Sequence, residues 1–473
     1  VVQVQHRKWC LLILAAFAGT LLNPSVPGFC AESSTPIVLQ GRAEVDDQMA
    51  SILSEELEIE RFAAQYDQAS NIADFAKGRR QWSYNFGNAV CTEGGLIAAT
   101  ALFASNTGNR HAIQFSTGKD GQPTTKYVTI APAIDPNSVN GTITPQIVGQ
   151  CISIAGGSFE LLTTLGVVIS RDRLGLSPKA LDRAVLHHLD SIDNKLKIAS
   201  SNAVSNESVA TELQVLKELR DRAISDYYAA RLVEKRWTTW NNCQNVTGII
   251  RNTVGCIGNS INELGRHEAR RRLNGDGSIL NFISASIMLV RPYFCEVWAR
   301  YRMRNLEHRL AHLRSRIDSP NEGKLEENVT SLAIATNKVD RSSSLNKRLQ
   351  IYADFANDHT AIFDHQEKRM SVLSCRSSVR GTLYAPTKQT QSMINIVTQF
   401  RPRNNQAENN RYGFVANLTY TSGQLFNISE LSRQRVVDEV AHYREERAQI
   451  LPTQLLAKRI SLLSQDIKGL SPP

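Results

Sequence analysis

His308 and His312 stand four residues apart in RYRMRNLEHRLAHLRSRID, the separation at which two imidazoles on one helical face can share a metal ion. Their neighbours are mostly arginines, whose charge disfavours a bound cation, so the pair reads as surface histidines. A second set lies around DHTAIFDH. Asp354, Asp358 and His365 fall at i, i+4 and i+11, on roughly one helical face. Two carboxylates and an imidazole could hold a divalent ion or pass protons to a substrate. A single helix supplies only part of such a site, so no metal centre is expected, and these three residues are the candidates nearest to one. The chain has no GxSxG elbow, P-loop, GxGxxG or HExxH. Gly118-Lys119 lacks both the upstream glycine and the Ser/Thr of a P-loop. No catalytic or cofactor-binding residue is assigned, and neither a cofactor nor an enzymatic activity is expected.

Eight cysteines occur. Cys10 and Cys30 sit in the N-terminal stretch. Cys91, Cys151, Cys243, Cys256, Cys295 and Cys375 remain as disulfide candidates, an even set that suits an exported chain. No CxxC is present, which argues against zinc. Their place beside glycine-rich apolar runs also fits buried free thiols.

The elements that would position these groups are mostly helical. Aromatic residues make up 7% of the chain and only 15 residues are proline, too few of either for a large β-sandwich or propeller. The expected fold is mainly α: helical hairpins packed closely through small residues, amphipathic αα-hairpins, and one minor β-hairpin near 111–131 with Asp120-Gly121 at its turn. Residues 1–31 carry a charged start, an apolar run from Trp9 to Leu22 and prolines at 24 and 27, the layout of a signal peptide, with an uncleaved anchor as the alternative. An amphipathic helix follows in 32–83, with Met49, Ile52, Leu53, Leu57, Ile59 and Phe62 on its apolar face and Gly78 to Arg80 marking its end. An apolar helical hairpin with the inserted β-hairpin fills 84–175. An αα-hairpin fills 176–240, its seam carried by Val185, Leu189, Ile192, Leu196 and Ala199, then by Val209, Leu213, Leu216, Ala223 and Tyr227. A second apolar hairpin plus a basic helix takes 241–320, with Gly275-Asp276-Gly277 as a turn, Ser278 as an N-cap and Arg291-Pro292 closing the run. HHLDSID and AHLRSRID follow the two apolar hairpins, so 241–320 reads as a repeat of 84–200. Amphipathic helix and loop occupy 321–400, and further helices 401–473.

Whether the apolar runs cross a membrane turns on length and charge. Glu93, Glu160 and Arg251 interrupt three of them, and Ser278 to Val290 falls short of the roughly 20 residues a span needs. Basic residues flank that run on both sides, against the one-sided bias of a span. Gly149, Ser153 and Gly157, like Gly95 and Ala99, recur every four positions and let helix backbones approach. The runs therefore read as tightly packed helices in water, with membrane-embedded hairpins as the alternative. The formal charge of +9 is spread along the chain, so no nucleic-acid partner is expected. Six N-x-S/T sequences occur, at Asn140, Asn206, Asn245, Asn328, Asn417 and Asn427. Together these features point to an exported, non-enzymatic structural or interaction protein of the cell envelope, periplasm or extracellular space. It would act through a protein partner or self-association, with membrane association also open. The alternative is a membrane-inserting or pore-forming protein or secreted effector.

Overall fold

No proline falls between Arg42 and Ser105 or between Glu207 and His267, and both stretches form unbroken helices. The structure is a computed structural model. It describes the backbone of residues 42–106, 110–117, 121, 123–130, 136–173, 177–202, 207–267, 271–317, 328–334, 343–400, 406–447 and 452–468; within them it leaves out the side chains of both strands, of 64–77 and 354–370, and of several residues at or near the helix ends. The expected signal segment, 1–31, lies outside the described residues. In chain order the elements are α1 (Arg42–Ser105), β1 (Arg110–Thr117), β2 (Pro123–Ile130), α2 (Pro136–Arg173), α3 (Pro178–Asn202), α4 (Glu207–His267), α5 (Arg271–Arg309), α6 (Ala311–Arg314), α7 (Ser343–Phe400), α8 (Gln406–Arg447) and α9 (Pro452–Lys468), with a short helix at 328–334. The fold is mainly α. Between α1 and α2 the backbone runs as two antiparallel strands, whose side chains fall outside the described set.

The described residues from Val45 onward form one unit with two differently built regions. One is an apolar-cored head. Met49, Ile52, Leu53 and Ile59 of α1 pack with Val185, Leu189 and Ile192 of α3 and with Leu216, Leu219 and Tyr227 of α4. The ends of α5 and α7 and the helix α9 complete this core through Leu306, Tyr352 and Leu463. The seam expected for 176–240 is buried here, with Val209 partly so. Each such leucine or isoleucine contributes about 1.5–3 kcal/mol on leaving water. Buried ion pairs tie the helices together. Arg348 donates to both Glu212 oxygens at 2.7 and 3.3 Å, and the Tyr352 hydroxyl adds a bond at 3.0 Å. Burial and the adjacent Glu212 charge hold that phenol well above its usual range.

The other region is a bundle of six long helical segments in which each neighbour runs antiparallel. Two hydrogen bonds show the direction for each of five pairs. Arg171 meets Glu234 and Asn259 meets Gln150 across α2 and α4. Arg236 meets Glu296 and Asn281 meets Asn259 across α4 and α5. Ser374 meets Glu296 and Lys388 meets Ser284 across α5 and α7. Tyr384 meets Tyr420 and Gln391 meets Asn417 across α7 and α8. Trp82 donates to the Leu431 carbonyl and Asn410 to that of Asn106, joining α8 to α1. Arg80 and Glu160 then join α1 to α2, and the ring closes.

Small residues decide how near α1 and α2 come. A Cβ on Gly95 would lie 2.4 Å from the Thr142 carbonyl oxygen, and one on Gly149 would lie 2.9 Å from that of Asn88. Only a hydrogen fits at either place.

Several breaks expected from sequence are absent. α1 runs on through Gly78 and the 83/84 boundary, because Arg80 and Trp82 are anchored to Glu160 and Leu431 just beyond it. α4 likewise passes the 240/241 boundary. Gly275-Asp276-Gly277 is helix rather than turn: the glycine at 277 clears the Gly258 carbonyl oxygen, which a Cβ would meet at 2.5 Å. α5 continues through Pro292 to Arg309. The proline leaves the Met288 carbonyl without its helical donor, and Gly381 of α7 packs beside both.

Candidate functional site

The bundle is built the opposite way from the head. Its outward faces are apolar: Leu162 is 66% exposed, Val297 68% and Phe400 63%, among many aliphatic residues of α2, α4, α5, α7 and α8. Its inward faces carry Gln150, Asn245, Asn252, Asn259, Asn281, Lys388, Asn417 and Gln424, all buried. The outward apolar face of α5 runs from Ile279 to Tyr301, about 22 residues or about 33 Å of helix. A bilayer's hydrocarbon core is about 30 Å thick. Gly78–Ser105, Gly141–Ser201 and Leu273–Arg309 are each long and apolar enough to cross a membrane. Counting along the linear run from Ser278 to Val290 missed this length, because Arg291 turns inward to the Gln244 carbonyl at 2.6 Å while Tyr293, Phe294 and Val297 carry the outer face onward. Glu93 and Glu160, which interrupt the apolar runs in sequence, are likewise buried inside.

Aromatic residues mark the head-side end of this band. Trp237 and Trp240 stack with centroids 5.7 Å apart, and Trp298 sits 5.7 Å from Tyr301. The Arg236–Glu296 bond sets the two pairs level. Indole and phenol rings favour the boundary between hydrocarbon and water.

Inside, three polar layers follow one another. At the head end Arg80 grips Glu160 through two bonds of 2.6 and 3.2 Å, and Gln81 reaches Asn245 at 3.2 Å. Farther along, an amide relay crosses three helices: Asn281 donates to Asn259 at 2.8 Å, and Asn259 to Gln150 at 3.3 Å. Between them lies a charged layer. Arg251 bonds Asn252 Oδ1 at 2.6 and 3.2 Å and the Met288 sulfur at 3.4 Å. Lys388 reaches Ser284, and the Tyr384 and Tyr420 hydroxyls meet at 2.7 Å. Both oxygens of Glu93 lack a hydrogen-bond partner. Such a layer can bind or hand on a hydrophilic species.

From sequence Glu93, Glu160 and Arg251 read only as interruptions of apolar runs, and the inner amides and Lys388 were not recognised as a site, although a signal was present. Asn245, Asn252 and Asn259 recur every seven residues, and so do Asn410, Asn417 and Gln424. A seven-residue repeat of amides in an apolar helix places them all on one buried seam. Three of the N-x-S/T asparagines, Asn245, Asn417 and Asn427, are buried in the bundle.

The residues singled out from sequence are dispersed. His308 and His312 are exposed on either side of the turn at Leu310. The side chains of Asp354, Asp358 and His365 lie outside the described residues, on α7. The six cysteines are free thiols. Cys151 and Cys256 approach to 3.9 Å across α2 and α4, and the Cys295 thiol lies 3.8 Å from the Thr247 hydroxyl across α4 and α5. Cys91 backs onto Gly149. Comparison with protein families, with curated proteins and with solved structures finds no match to this chain.

Proposed function

We propose that this chain is an integral membrane protein of the cell envelope. Its six-helix bundle crosses the bilayer, its head stands on one side, and its polar interior binds or passes a hydrophilic solute. The observation that carries this reading is the reversal between the two regions: apolar core in the head, apolar surface with polar core in the bundle. In water, a band of exposed aliphatic and aromatic side chains about 33 Å tall on several neighbouring helices would far exceed the few hundred Å² of apolar patch that soluble monomers expose. In lipid the same band is the favourable surface, and the inward amides and charges find partners in one another. Membrane insertion was the second of the two functions weighed from sequence, and the arrangement of faces favours it over a soluble structural protein. No enzymatic role is proposed.

The test is fractionation of cells expressing the full chain. Retention in the membrane pellet after an alkaline carbonate wash is expected. Release into the supernatant as a dispersed, folded protein would end the proposal.

A further inference from the structure

We propose that the bundle interior holds a small inorganic anion, of halide size, between Arg251 and Lys388. The proposal rests on the membrane reading above and names what the polar interior binds. Ser284 and Met288, one turn apart on α5, meet the two cations: the Lys388 ammonium at Ser284 and the Arg251 guanidinium at the Met288 sulfur. The Ser284 hydroxyl donates to the Arg251 carbonyl oxygen at 3.0 Å, and the Lys388 ammonium approaches it at 3.5 Å. That ammonium belongs to a residue only 9% exposed and has three N–H donors to place. Apart from Ser284 its neighbour is the Tyr420 ring, 5.9 Å away at the centroid. The Arg251 guanidinium directs its bonds to one amide oxygen and to a thioether sulfur, a weak acceptor.

Among the described residues no carboxylate forms an ion pair with either cation. Arg291, farther along α5, adds a third positive charge and donates to the Gln244 carbonyl oxygen. Glu93 is the carboxylate near this layer. Neither of its oxygens reaches a donor. Arg380 of α7 lies near Arg251 and Arg291 and is offset by Glu430; the remaining three cations against Glu93 leave surplus positive charge inside a bundle whose outer face is apolar. Like charges repel more strongly at low dielectric, and buried cations persist when paired. An anion seated between the Ser284 and Met288 levels would accept from the ammonium and from the guanidinium N–H groups that Asn252 and Met288 leave over. Leu96, Met288, Tyr384, Ala385 and Tyr420 pack into one buried cluster beside it, which favours a halide over a phosphate-sized ion.

The experiment uses the full chain purified in detergent, with thermal unfolding followed in chloride and in the bulky anion gluconate at equal ionic strength. Chloride should raise the midpoint in a saturable way. Lys388→Gln should weaken the chloride response about tenfold or more, the loss of one charge-assisted hydrogen bond. Should that variant fail to fold, Ser284→Ala reads the same site with a smaller loss. Equal midpoints in the two salts, or a variant that keeps the wild-type chloride response, would overturn the proposal. A chain that responds to chloride yet is released by carbonate separates failure of the membrane reading from failure of this one.

Discussion

Adding one methyl group to the helix α1 should have opposite consequences at two adjacent positions. The Cβ of Gly95→Ala would lie 2.4 Å from the Thr142 carbonyl oxygen and 3.1 Å from the Gln146 Cγ. Ordinary contact begins near 3.4 Å, so α1 and α2 must separate by roughly 0.6–1 Å at this level. Overpacking of that size costs about 1–3 kcal/mol. Alanine returns about 0.5–1 kcal/mol through its better helix propensity, so Gly95→Ala should lose up to about 2.5 kcal/mol net. Gly94→Ala meets nothing within 4 Å and should gain the propensity term alone. That term is common to both variants, so their difference isolates the packing cost. Equilibrium unfolding of both proteins in the same mixed micelles measures it. If Gly95→Ala proves as stable as Gly94→Ala, the close α1–α2 contact is wrong.

Three further predictions concern the head and the thiols. Glu56 is buried beside Glu60 and Asp221 with neither carboxylate oxygen hydrogen-bonded, and burial raises its pKa well above the usual 4.5. Its ionisation therefore erodes stability as pH climbs from about the unfolded value through the raised folded one. Glu56→Gln should match wild type near pH 4 and exceed it near pH 8 in urea titrations, and identical pH slopes would contradict this. Arg348→Ala strands the buried Glu212 carboxylate and should cost about 3–5 kcal/mol by the same titration; a loss below about 1 kcal/mol would argue against the buried pair. Mild oxidation followed by peptide mapping should join Cys151 to Cys256 and leave Cys91 unlinked to either, given the 3.9 Å approach of the first two thiols.

The head was legible in sequence because a heptad seam in an apolar core uses the simplest signal, leucine and isoleucine at alternating steps of three and four. Val185 to Ala199 and Leu213 to Tyr227 were recognisable on that basis. The glycines at 95 and 149 were legible as close-approach sites for the same reason, a fixed spacing with a steric cause. Helix ends were misjudged where tertiary contacts override a local breaker, as at Gly78 and Pro292. The polar layer was missed because each charge was weighed as a defect in a linear apolar run. Arg251, Arg291 and Lys388 become intelligible only when the helix is turned about its axis and the seven-residue amide repeats define an inner face. The histidines and carboxylates that drew attention first were conspicuous as chemistry and had no such geometric support.

Accessibility scanning addresses the central claim most directly. Single spin labels would be placed on the outer face at Leu162, Val297 and Val397, and on the head surface at Ile198, in protein reconstituted into vesicles. Relaxation by lipid-soluble oxygen should then be compared with relaxation by a water-soluble nickel chelate. The three bundle positions should respond to oxygen and be shielded from nickel, while Ile198 shows the reverse. Strong nickel access at Leu162, Val297 and Val397 would place the bundle's apolar face in water and contradict the account.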